Sequence, residues 1–536
     1  MGTDSYIDAR TDAVGATIEG SVCVIGAGAA GLTLVRRLTQ NVPDVILIES
    51  GGFDIDGDTQ NLYSGRMLGL EYYDLATSRL RYFGGTTNHW AGYCRAYDAK
   101  DFEAWPALGL PGWPLTRDEL KPFIGEAAQE LRLIDPFIDS ALMLTRGGID
   151  SAGVVEQSST TLASKINQIA QEESIRLGPR YRNEIGANQN VRAYLYLNAV
   201  QVHLTPDGAS VDRLRCATLT GKQVTVRARL FVLCCHGIEN ARLLLTSNDV
   251  MAQGIGNGSD HVGRYFMDHN WIAASKFIPS DAFPGIYNHD FGVAHSISND
   301  LGFADRTVRD HRLLPYACRF GPVYAEPKTA AAYDRVRRDF MKPGNVSFLR
   351  DVATVAADFA VIPDFMAARR KIYFAKPLYY ELEYHVAQAP NPGSRIVVSD
   401  RRDALGNLIA DLDWRLSEAD YRSWRVGQEL LGAELAALGW GRMMPEEITP
   451  DLVRSRVAGV HHNIGTTRMS AMPSGGVVDS DCRVHGISNL YIGGSSVFPT
   501  AGGGSPTMMI IAMALRMSEH LKLQLDSGPR IAGTPS

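Results

Sequence analysis

The pattern of apolar positions near the N-terminus changes period twice within thirty residues. In "SVCVIGAGAAGLTLVRRL" a continuous apolar run, 22–25, is followed by three glycines and then by apolar residues at helical spacing: Ala30, Leu34, Val35 and Leu38. A second apolar run, "VILIE", ends at Glu49. The pattern predicts a strand, a glycine-rich turn, a helix and a second strand.

The glycines of this turn have the spacing of a dinucleotide-binding loop. Gly26 would make the tight turn, Gly28 would let the backbone approach a pyrophosphate, and Gly31 would allow the helix to pack closely. Glu49, at the end of the second strand, can accept hydrogen bonds from a ribose. A glycine-rich turn in another α/β unit would leave Glu49 unexplained, so the sequence favours a bound dinucleotide.

Two later segments repeat the order of strand, glycine-rich loop and helix, and a different kind of segment separates them. The repeats are "RLFVLCCHGIENARLLL" and "NLYIGGSSVFPTAGGGSPTMMIIAMALRMSEHL". Stretches such as "YYELEYHVAQ" are β-rich, whereas 96–190 and 300–375 mix helical patterns with Pro and Gly. We therefore predict an α/β protein with a discontinuous Rossmann-like nucleotide domain (1–95, 190–270 and 455–536). An inserted α+β substrate domain with an antiparallel sheet and lid segments would occupy 96–189 and 271–454.

The composition limits the kinds of partner and the cellular compartment that we expect for the protein. The chain has 536 residues and a formal charge of only −6, without a run of like charges, so nucleic acid is not expected as a partner. The first twenty residues lack an apolar leader, and the longest apolar stretch stops at Arg516, so we expect no membrane insertion and a cytoplasmic protein. Seven cysteines without C-x-x-C spacing predict buried thiols, with neither a zinc site nor disulfides.

Five motifs together resemble the glucose-methanol-choline oxidoreductases, which depend on FAD. They are the N-terminal glycine loop, "FGGTTNHWAG", "VGRYFMDH", "HHNIGTTRM" and "NLYIGGSSVFPTAGGGSPT". The resemblance covers essentially the whole chain. Within the family the "TTNHW" and "GTTRM" motifs look most similar to bacterial members akin to pyranose oxidase and to the fructose and gluconate dehydrogenases.

The resemblance implies FAD at the junction of the two domains. It places Gly26, Gly28, Gly31 and Glu49 on the ADP half of the cofactor, and Gly84, Gly85, Thr86, Thr87 and Asn88 against the flavin ring. It also assigns to the cofactor site Val202, Gly494, Ser495, Pro506 and Thr507.

His89 is singled out by the resemblance, because the histidine of a matching motif in pyranose oxidase is bonded covalently to the flavin 8-methyl carbon. Such a bond would hold the ring and raise its redox potential. Two interpretations of His89 stay open: covalent attachment, or packing on the dimethylbenzene edge of the flavin.

The adjacent histidines of "VHHNIGTTRM" are predicted to have different roles. Counted back from Met469, the catalytic histidine of the family falls on His462, which would remove the hydroxyl proton as the alcohol gives its hydride to flavin N5. In an extended segment His461 would point to the opposite face. No other histidine or acid cluster lies nearby in sequence, so a metal site is not expected.

Ser505 departs from the family pattern, in which Asn or His usually precedes "PT" in the last motif. Serine is not a base near neutral pH without an activator, so His462 would carry proton abstraction alone. Ser505 followed by Pro506 is also typical of a helix N-cap, and we favour capping over direct substrate contact although both roles can hold together.

The resemblance implies oxidation of a secondary alcohol, on a sugar, glycoside or cyclitol, to a ketone. Non-redox lyase or cyclisation chemistry in the same fold is the alternative, and the electron acceptor is either oxygen or a carrier such as a quinone. Strand alternation places Glu381, Glu383 and His385 on one face, which either lines the substrate pocket or is solvated.

Overall fold

The computed structural model describes residues 5–11, 14–155, 161–323, 352–354, 356 and 377–527. The first predicted unit is confirmed. Strand β2 (Thr17–Ile25) leads into helix α1 (Ala29–Leu38), and strand β3 (Val45–Ile48) follows. β2 and β3 are parallel neighbours with Ile25 opposite Ile48, so the glycine loop and Glu49 emerge at the same edge of the sheet.

The sheet that contains this unit is mostly parallel. Its strand order is β1-β6-β3-β2-β9-β8-β7, and β17 pairs with β9. β8 pairs antiparallel with β9, and β7 pairs antiparallel with β8 at the edge of the sheet. The remaining strands of this sheet are β1 (Tyr6–Asp8), β6 (Val191–Leu195), β7 (Asn198–Leu204), β8 (Val211–Ala217), β9 (Gln223–Leu233) and β17 (Leu490–Ile492).

The second sheet is antiparallel, with the order β16-β10-β13-β12-β11-β5-β4. Its strands are β4 (Tyr93–Cys94), β5 (Leu162–Ile169), β10 (His269–Pro279), β11 (Ile297–Phe303), β12 (Tyr316–Val323), β13 (Tyr379–Ala387) and β16 (Gly441–Pro445). A separate hairpin joins β14 (Arg395–Arg402) to β15 (Leu408–Asp413). The predicted α/β class with an antiparallel second sheet is therefore confirmed.

Helices cover both sheets. After α1 they are α2 (Gly57–Asn61), α3 (Arg117–Glu130), α4 (Ser140–Arg146), α5 (Glu172–Ile175), α6 (Leu177–Gly186), α7 (His236–Thr246), α8 (His289–Ala294), α9 (Asp305–Asp310), α10 (Glu418–Ala437), α11 (Pro450–Arg456) and α12 (Pro506–Ser527). Within the described part of the chain, no helix combines the length and apolar character of a membrane span.

The apolar core does not follow the predicted domain boundaries everywhere. Helices α3 and α6, which lie in the segment 96–189 predicted for the substrate domain, bury apolar side chains in the core of the parallel sheet. The β14–β15 hairpin does the same through Ile396, Ala410 and Leu412. The amphipathic pattern of these segments predicts that they bury a face but does not say against which sheet, so the domain limits stay a prediction.

Candidate functional site

A cavity of about 680 Å³ lies where the two sheets meet. On one side it is bounded by the edge of the parallel sheet and the start of α1, and on the other by side chains of β5, β11, β12 and β13. The first residues of α12 and the segment before His462 complete its wall. A cavity of this size at the carboxyl ends of parallel strands is typical of a ligand site.

Most residues assigned to the cofactor from the sequence line this cavity. They are Gly26, Gly28, Glu49, Gly85, Thr86, Thr87, His89, Gly494, Ser495, Pro506 and Thr507. The four that do not line it are Gly31, Gly84, Asn88 and Val202.

Three of these four residues shape the loops behind the wall. A Cβ on Gly31 would lie 1.9 Å from the carbonyl oxygen of Gly26, so the glycine lets the helix approach the turn. The amide of Gly84 donates to Ala27 O over 2.8 Å, which holds the second glycine loop against the first. Asn88 donates from Nδ2 to Phe83 O over 2.8 Å and accepts from Gly178 N over 3.2 Å, so its amide joins the loop to α6.

Val202 lies elsewhere. It is buried in β7, and its amide donates to Ser247 Oγ. The residues that this part of the chain contributes to the cavity wall are Leu197 and Ala199. Sequence alternation could not fix which residues of the β7 strand reach the cavity, because only the first residues of the strand lie beside it.

The glycine loop presents an open backbone to the cavity. Gly28 precedes the first residue of α1, and a Cβ there would meet nothing within 4 Å. The first turn of α1 has no acidic residue of its own, so the positive end of the helix dipole can favour an anionic group. Gly26 has a φ of +102°, and a Cβ there would lie 2.4 Å from Cys234 O. Only glycine fits at that position, and the loop is therefore shaped to receive an anionic group.

Glu49 braces this loop from the end of β3. Its buried carboxylate accepts from the amide of Ala27 over 2.8 Å and from that of Gly51 over 2.9 Å. Oε1 also accepts from Ser50 Oγ over 3.2 Å, so Oε2 is the oxygen that keeps a lone pair, in keeping with the predicted contact to a ribose.

His462 and His461 both line the cavity, so the prediction that they point to opposite faces is wrong. Two isolated β-bridges join this segment to the facing chain: Trp271 pairs with Ala458, and Met267 pairs with Ile464. More residues lie between the bridges in the 458–464 segment than in the facing segment. The surplus is accommodated in a bulge where His461 takes a left-handed φ of +65°. The segment is therefore not extended, and alternation does not apply to it.

The two imidazoles nevertheless have separate neighbours. His461 stacks on Tyr73 with ring centroids 4.0 Å apart and an angle of 27° between the planes. His462 places Nδ1 2.9 Å from Nδ1 of His269, a residue that sequence analysis did not assign a role. The motif "VGRYFMDH" ends on His269, but only the bridge to the 458–464 segment brings it to His462.

Asp268, His269 and His462 have side-chain atoms within 4.8 Å of one another, an arrangement a metal ion could use. The hydrogen bonds favour another role. Asp268 Oδ1 accepts from the amides of His269 and His462, and Oδ2 accepts from Tyr72 Oη over 2.6 Å. Nε2 of His269 lies 2.9 Å from Gly502 O. Because these atoms already have protein partners, the cluster is a hydrogen-bonded network.

Burial governs protonation in this network. It lowers the pKa of His269 to about 4 and holds that of His462 well below its ordinary value. Burial also raises the pKa of Asp268 to about 7, against the opposing effect of its hydrogen-bond donors. Both imidazoles are therefore neutral near neutral pH, and a neutral imidazole can accept a proton.

Ser505 lines the cavity immediately before α12, which begins at Pro506. The predicted position before a helix that begins with proline is confirmed, while its capping and substrate contacts stay predictions. Ser505 is also one residue after Gly504 and close in sequence to Gly502, whose carbonyl meets His269.

The antiparallel sheet contributes a polar wall. Asp300 accepts from Asn167 Nδ2 over 3.2 Å and from Arg319 Nε over 3.3 Å. Although burial opposes its ionisation, Arg319 keeps the pKa of Asp300 below its ordinary value. His385 lines the cavity beside them, and its Nε2 lies 3.9 Å from Glu383 Oε2.

The strand face predicted for Glu381, Glu383 and His385 lies partly against the cavity and partly in solvent. Glu381 is exposed, whereas His385 lies on the cavity wall. Glu383 is between them and accepts from Trp271 Nε1 over 3.2 Å.

Comparison with known proteins gives a consistent result. Residues 390–514 match the GMC oxidoreductase family. The fructose dehydrogenase large subunit of Gluconobacter japonicus is 23% identical over 580 residues, covering 96% of this chain and 99% of that protein. The 6'''-hydroxyparomomycin C oxidase of Streptomyces lividus is 25% identical over 570 residues, covering 94% and 91%.

Solved structures share the fold. The crystal structure of pyridoxine 4-oxidase from Mesorbium loti aligns with a TM-score of 0.56 at 17% identity, over 94% of this chain and 99% of that one. The chain therefore carries a GMC oxidoreductase region at 390–514, and over nearly its whole length it is similar to named dehydrogenases and oxidases and shares the fold of a solved oxidase.

Proposed function

We propose that this protein binds FAD in the cavity and oxidises an alcohol group of a polyhydroxylated small molecule, with His462 as the general base. The observation that carries the proposal is the position of the neutral, half-buried His462 on a cavity that also contains the open glycine loop. A base and a site for the diphosphate of a cofactor thus share one chamber.

The residues present fit FAD. The open backbone at Gly28 and the start of α1 suit a diphosphate, and Glu49 suits a ribose. Gly85, Thr86 and Thr87, with Gly494 and Ser495, would surround the remainder of the cofactor. When bound, FAD supplies the oxidant that takes the hydride from the carbinol carbon.

The chain itself handles the proton. Nδ1 of His462 is turned to His269, so Nε2 is the nitrogen left to accept the hydroxyl proton of the alcohol. Removal of that proton as the hydride leaves avoids a free alkoxide, which is costly near neutral pH. Ser505 has no base beside it in the described contacts and is proposed only to orient the substrate or the start of α12.

The polar wall supports a polyhydroxylated substrate. Arg319 and Asn167 offer donors, and Asp300 offers acceptors. The relatives named above act, by their names, on fructose and on 6'''-hydroxyparomomycin C. The finer expectation of a secondary alcohol oxidised to a ketone stays part of the proposal.

The test combines cofactor analysis with anaerobic titration. The purified protein should contain FAD. The flavin absorbance should bleach when one member of a panel is added: D-fructose, paromamine, pyridoxine or 2-methyl-1,2-propanediol. Mass spectrometry of the product should show the loss of two hydrogens. Turnover without bleaching would instead indicate lyase or cyclisation chemistry, and a protein that takes up NAD and no flavin would refute the proposal.

Replacement of Glu49 should weaken FAD retention. Glu49→Ala removes the ribose acceptor and also both braces to Ala27 and Gly51. Glu49→Gln keeps one acceptor oxygen but turns an amide NH₂ toward one of these backbone donors, so it should be intermediate. FAD content after gel filtration measures this order. Equal content in all three proteins would show that Glu49 is not at the ribose.

Covalent attachment is tested at His89. Its Nε2 lies 2.9 Å from Tyr82 Oη, which leaves Nδ1 for a bond to the flavin. After acid precipitation, flavin should stay with the pellet of the wild-type protein and leave with the supernatant of His89→Ala. Free flavin from the wild type would establish packing without a bond, and retention in His89→Ala would require another attachment residue.

The rate of flavin reduction should fall at acid pH, with a midpoint below the ordinary pKa of histidine. Because burial keeps the pKa of His462 well below its ordinary value, the base stays neutral from acid pH upward and is lost only when the pH falls below that depressed pKa. The rate at saturating substrate should therefore be flat above about pH 6.5, the ordinary value for histidine. A midpoint at or above that pH, measured by stopped flow, would contradict the assignment.

A further inference from the structure

We propose that His269 is a positioning residue that fixes the tautomer of His462 and so directs the lone pair of His462 Nε2 into the cavity. The inference deepens the proposed function and rests on it for the role of His462 as the base. The hydrogen-bond chain on which it is built can be tested without any substrate.

The chain of hydrogen bonds starts from a group with only one possible role. The carbonyl of Gly502 can only accept, so His269 Nε2, 2.9 Å away, must carry the proton. Gly502 has a φ of +66°, and a Cβ there would lie 2.3 Å from the ring of Tyr97. Glycine is therefore required at this position, and the carbonyl is held in a fixed orientation.

The protonation of His269 then determines that of His462. A neutral His269 with its proton on Nε2 has a lone pair on Nδ1. The two Nδ1 atoms are 2.9 Å apart, so His462 must donate from Nδ1, and its lone pair is left on Nε2. Both rings are neutral because burial lowers the pKa of each. If His269 carried a proton on both nitrogens, its Nδ1 would donate to Nδ1 of His462. The proton of His462 would then lie on Nε2, which could no longer act as the base.

The backbone keeps the two rings in register. Asp268 Oδ1 accepts from the amides of His269 over 2.7 Å and of His462 over 3.1 Å. The rings meet edge to face with centroids 4.9 Å apart and an angle of 89°. One buried carboxylate thus holds both backbones, while the side chains meet through a single hydrogen bond.

The same contact assists the reaction. When His462 Nε2 accepts the hydroxyl proton, the positive charge spreads over its ring and strengthens the bond from Nδ1–H to His269 Nδ1. His269 in turn donates to Gly502, so the chain ends on a carbonyl that favours positive charge. His269 does not exchange its own proton in this step and touches no reacting atom.

Two substitutions separate the parts of this chain. His269→Asn places an amide oxygen near the position of Nδ1 and keeps an acceptor for His462, although it loses Gly502. His269→Gln places its amide near Nε2 and keeps Gly502 but removes that acceptor. We expect His269→Gln to lower kcat for flavin reduction by about 10- to 100-fold, and His269→Asn to retain most of it.

The pH profile gives a second measurement. Loss of the acceptor destabilises the protonated form of His462, so the acid limb of His269→Gln should move to lower pH, while that of His269→Asn stays near the wild type. The other titratable and charged groups that act on the pair are His461, His385, Arg95 and Asp268, and all of them are unchanged in both variants. A merely structural role would weaken both variants alike without moving the limb.

The substrate-free test uses protein labelled with ¹⁵N-histidine. Imidazole ¹⁵N shifts of the FAD-loaded protein should show His462, identified by its loss in His462→Gln, protonated on Nδ1, and His269 protonated on Nε2. His462 should keep this tautomer in His269→Asn and change it in His269→Gln. His203→Gln, on the edge strand β7 beside Asp249, is the control that should change neither the tautomer nor kcat.

Each outcome separates this inference from the proposed function. A wild-type His462 protonated on Nε2, or equal kcat in His269→Asn and His269→Gln, would overturn the positioning role of His269. Full flavin reduction in His462→Ala would instead overturn the base assignment, whatever tautomer the spectra show.

Discussion

Replacing His462 with alanine is expected to slow substrate-driven bleaching of the flavin by about 100- to 10,000-fold, or about 3 to 5 kcal/mol in the activation barrier. The loss follows because no other imidazole in the network can act for it. His269 has its proton fixed on the Gly502 side, and His461 is stacked on Tyr73. Stopped-flow absorbance under anaerobic conditions measures the rate, and unchanged FAD content shows that the fold and the cofactor site survive.

His461→Asn is the matched control. Asparagine tolerates the left-handed backbone that His461 adopts, so the variant removes the ring stack without straining the bulge. A stacked ring pair is worth about 0.5–1.5 kcal/mol, so the rate should stay within about tenfold of the wild type. If His461→Asn abolished reduction while His462→Ala retained it, the base would have to be assigned to the neighbouring position.

Alanine at Gly31 should destabilise the folded protein itself. Its Cβ would lie 1.9 Å from the carbonyl oxygen of Gly26, a backbone atom that cannot rotate away. The helix or the glycine turn must shift, at a cost of about 3 kcal/mol or more. Thermal unfolding followed by circular dichroism should show a lower Tm for the apoprotein, and FAD content should fall with it.

Gly28→Ala should separate cofactor binding from folding. Gly28 has a φ of −86° and open space where its Cβ would be, so the apoprotein should keep its Tm. The added methyl would project into the space proposed for the FAD diphosphate, so FAD content should fall sharply. Normal FAD content in Gly28→Ala would place the diphosphate elsewhere, and a normal Tm in Gly31→Ala would show that the helix can move to relieve the contact.

Sequence reasoning succeeded where the chemistry is local in the chain. The glycine spacing, the strand before it and Glu49 after the next strand are one βαβ unit, and the structure forms that unit with the predicted order. It failed at the segment 458–464, because strand alternation assumes an extended backbone. There the unequal spacing of two bridges produces a bulge at His461 and turns both histidines to the cavity.

Val202 shows the same limit on a smaller scale. Which residues around the start of β7 border the cavity depends on the packing of that strand beside Glu49, and the wall there is made by Leu197 and Ala199. The helices α3 and α6 likewise have clear apolar faces, yet only the folded chain shows that those faces join the core of the parallel sheet.

By itself the sequence determined the fold class and the glycine loop with Glu49, since both depend on residue types at short spacing. The choice of His462 as the candidate base came from the resemblance of its motif to that of the family. Only the tertiary structure decided what surrounds His462. His269 is far from His462 in sequence and meets it because Trp271 of β10 is bridged to Ala458, before His462. Gly502, in the glycine-rich turn before α12, in turn reaches His269. Hydrogen bonds of defined direction form only between groups brought within about 3 Å, so the tautomer of a base is fixed by packing.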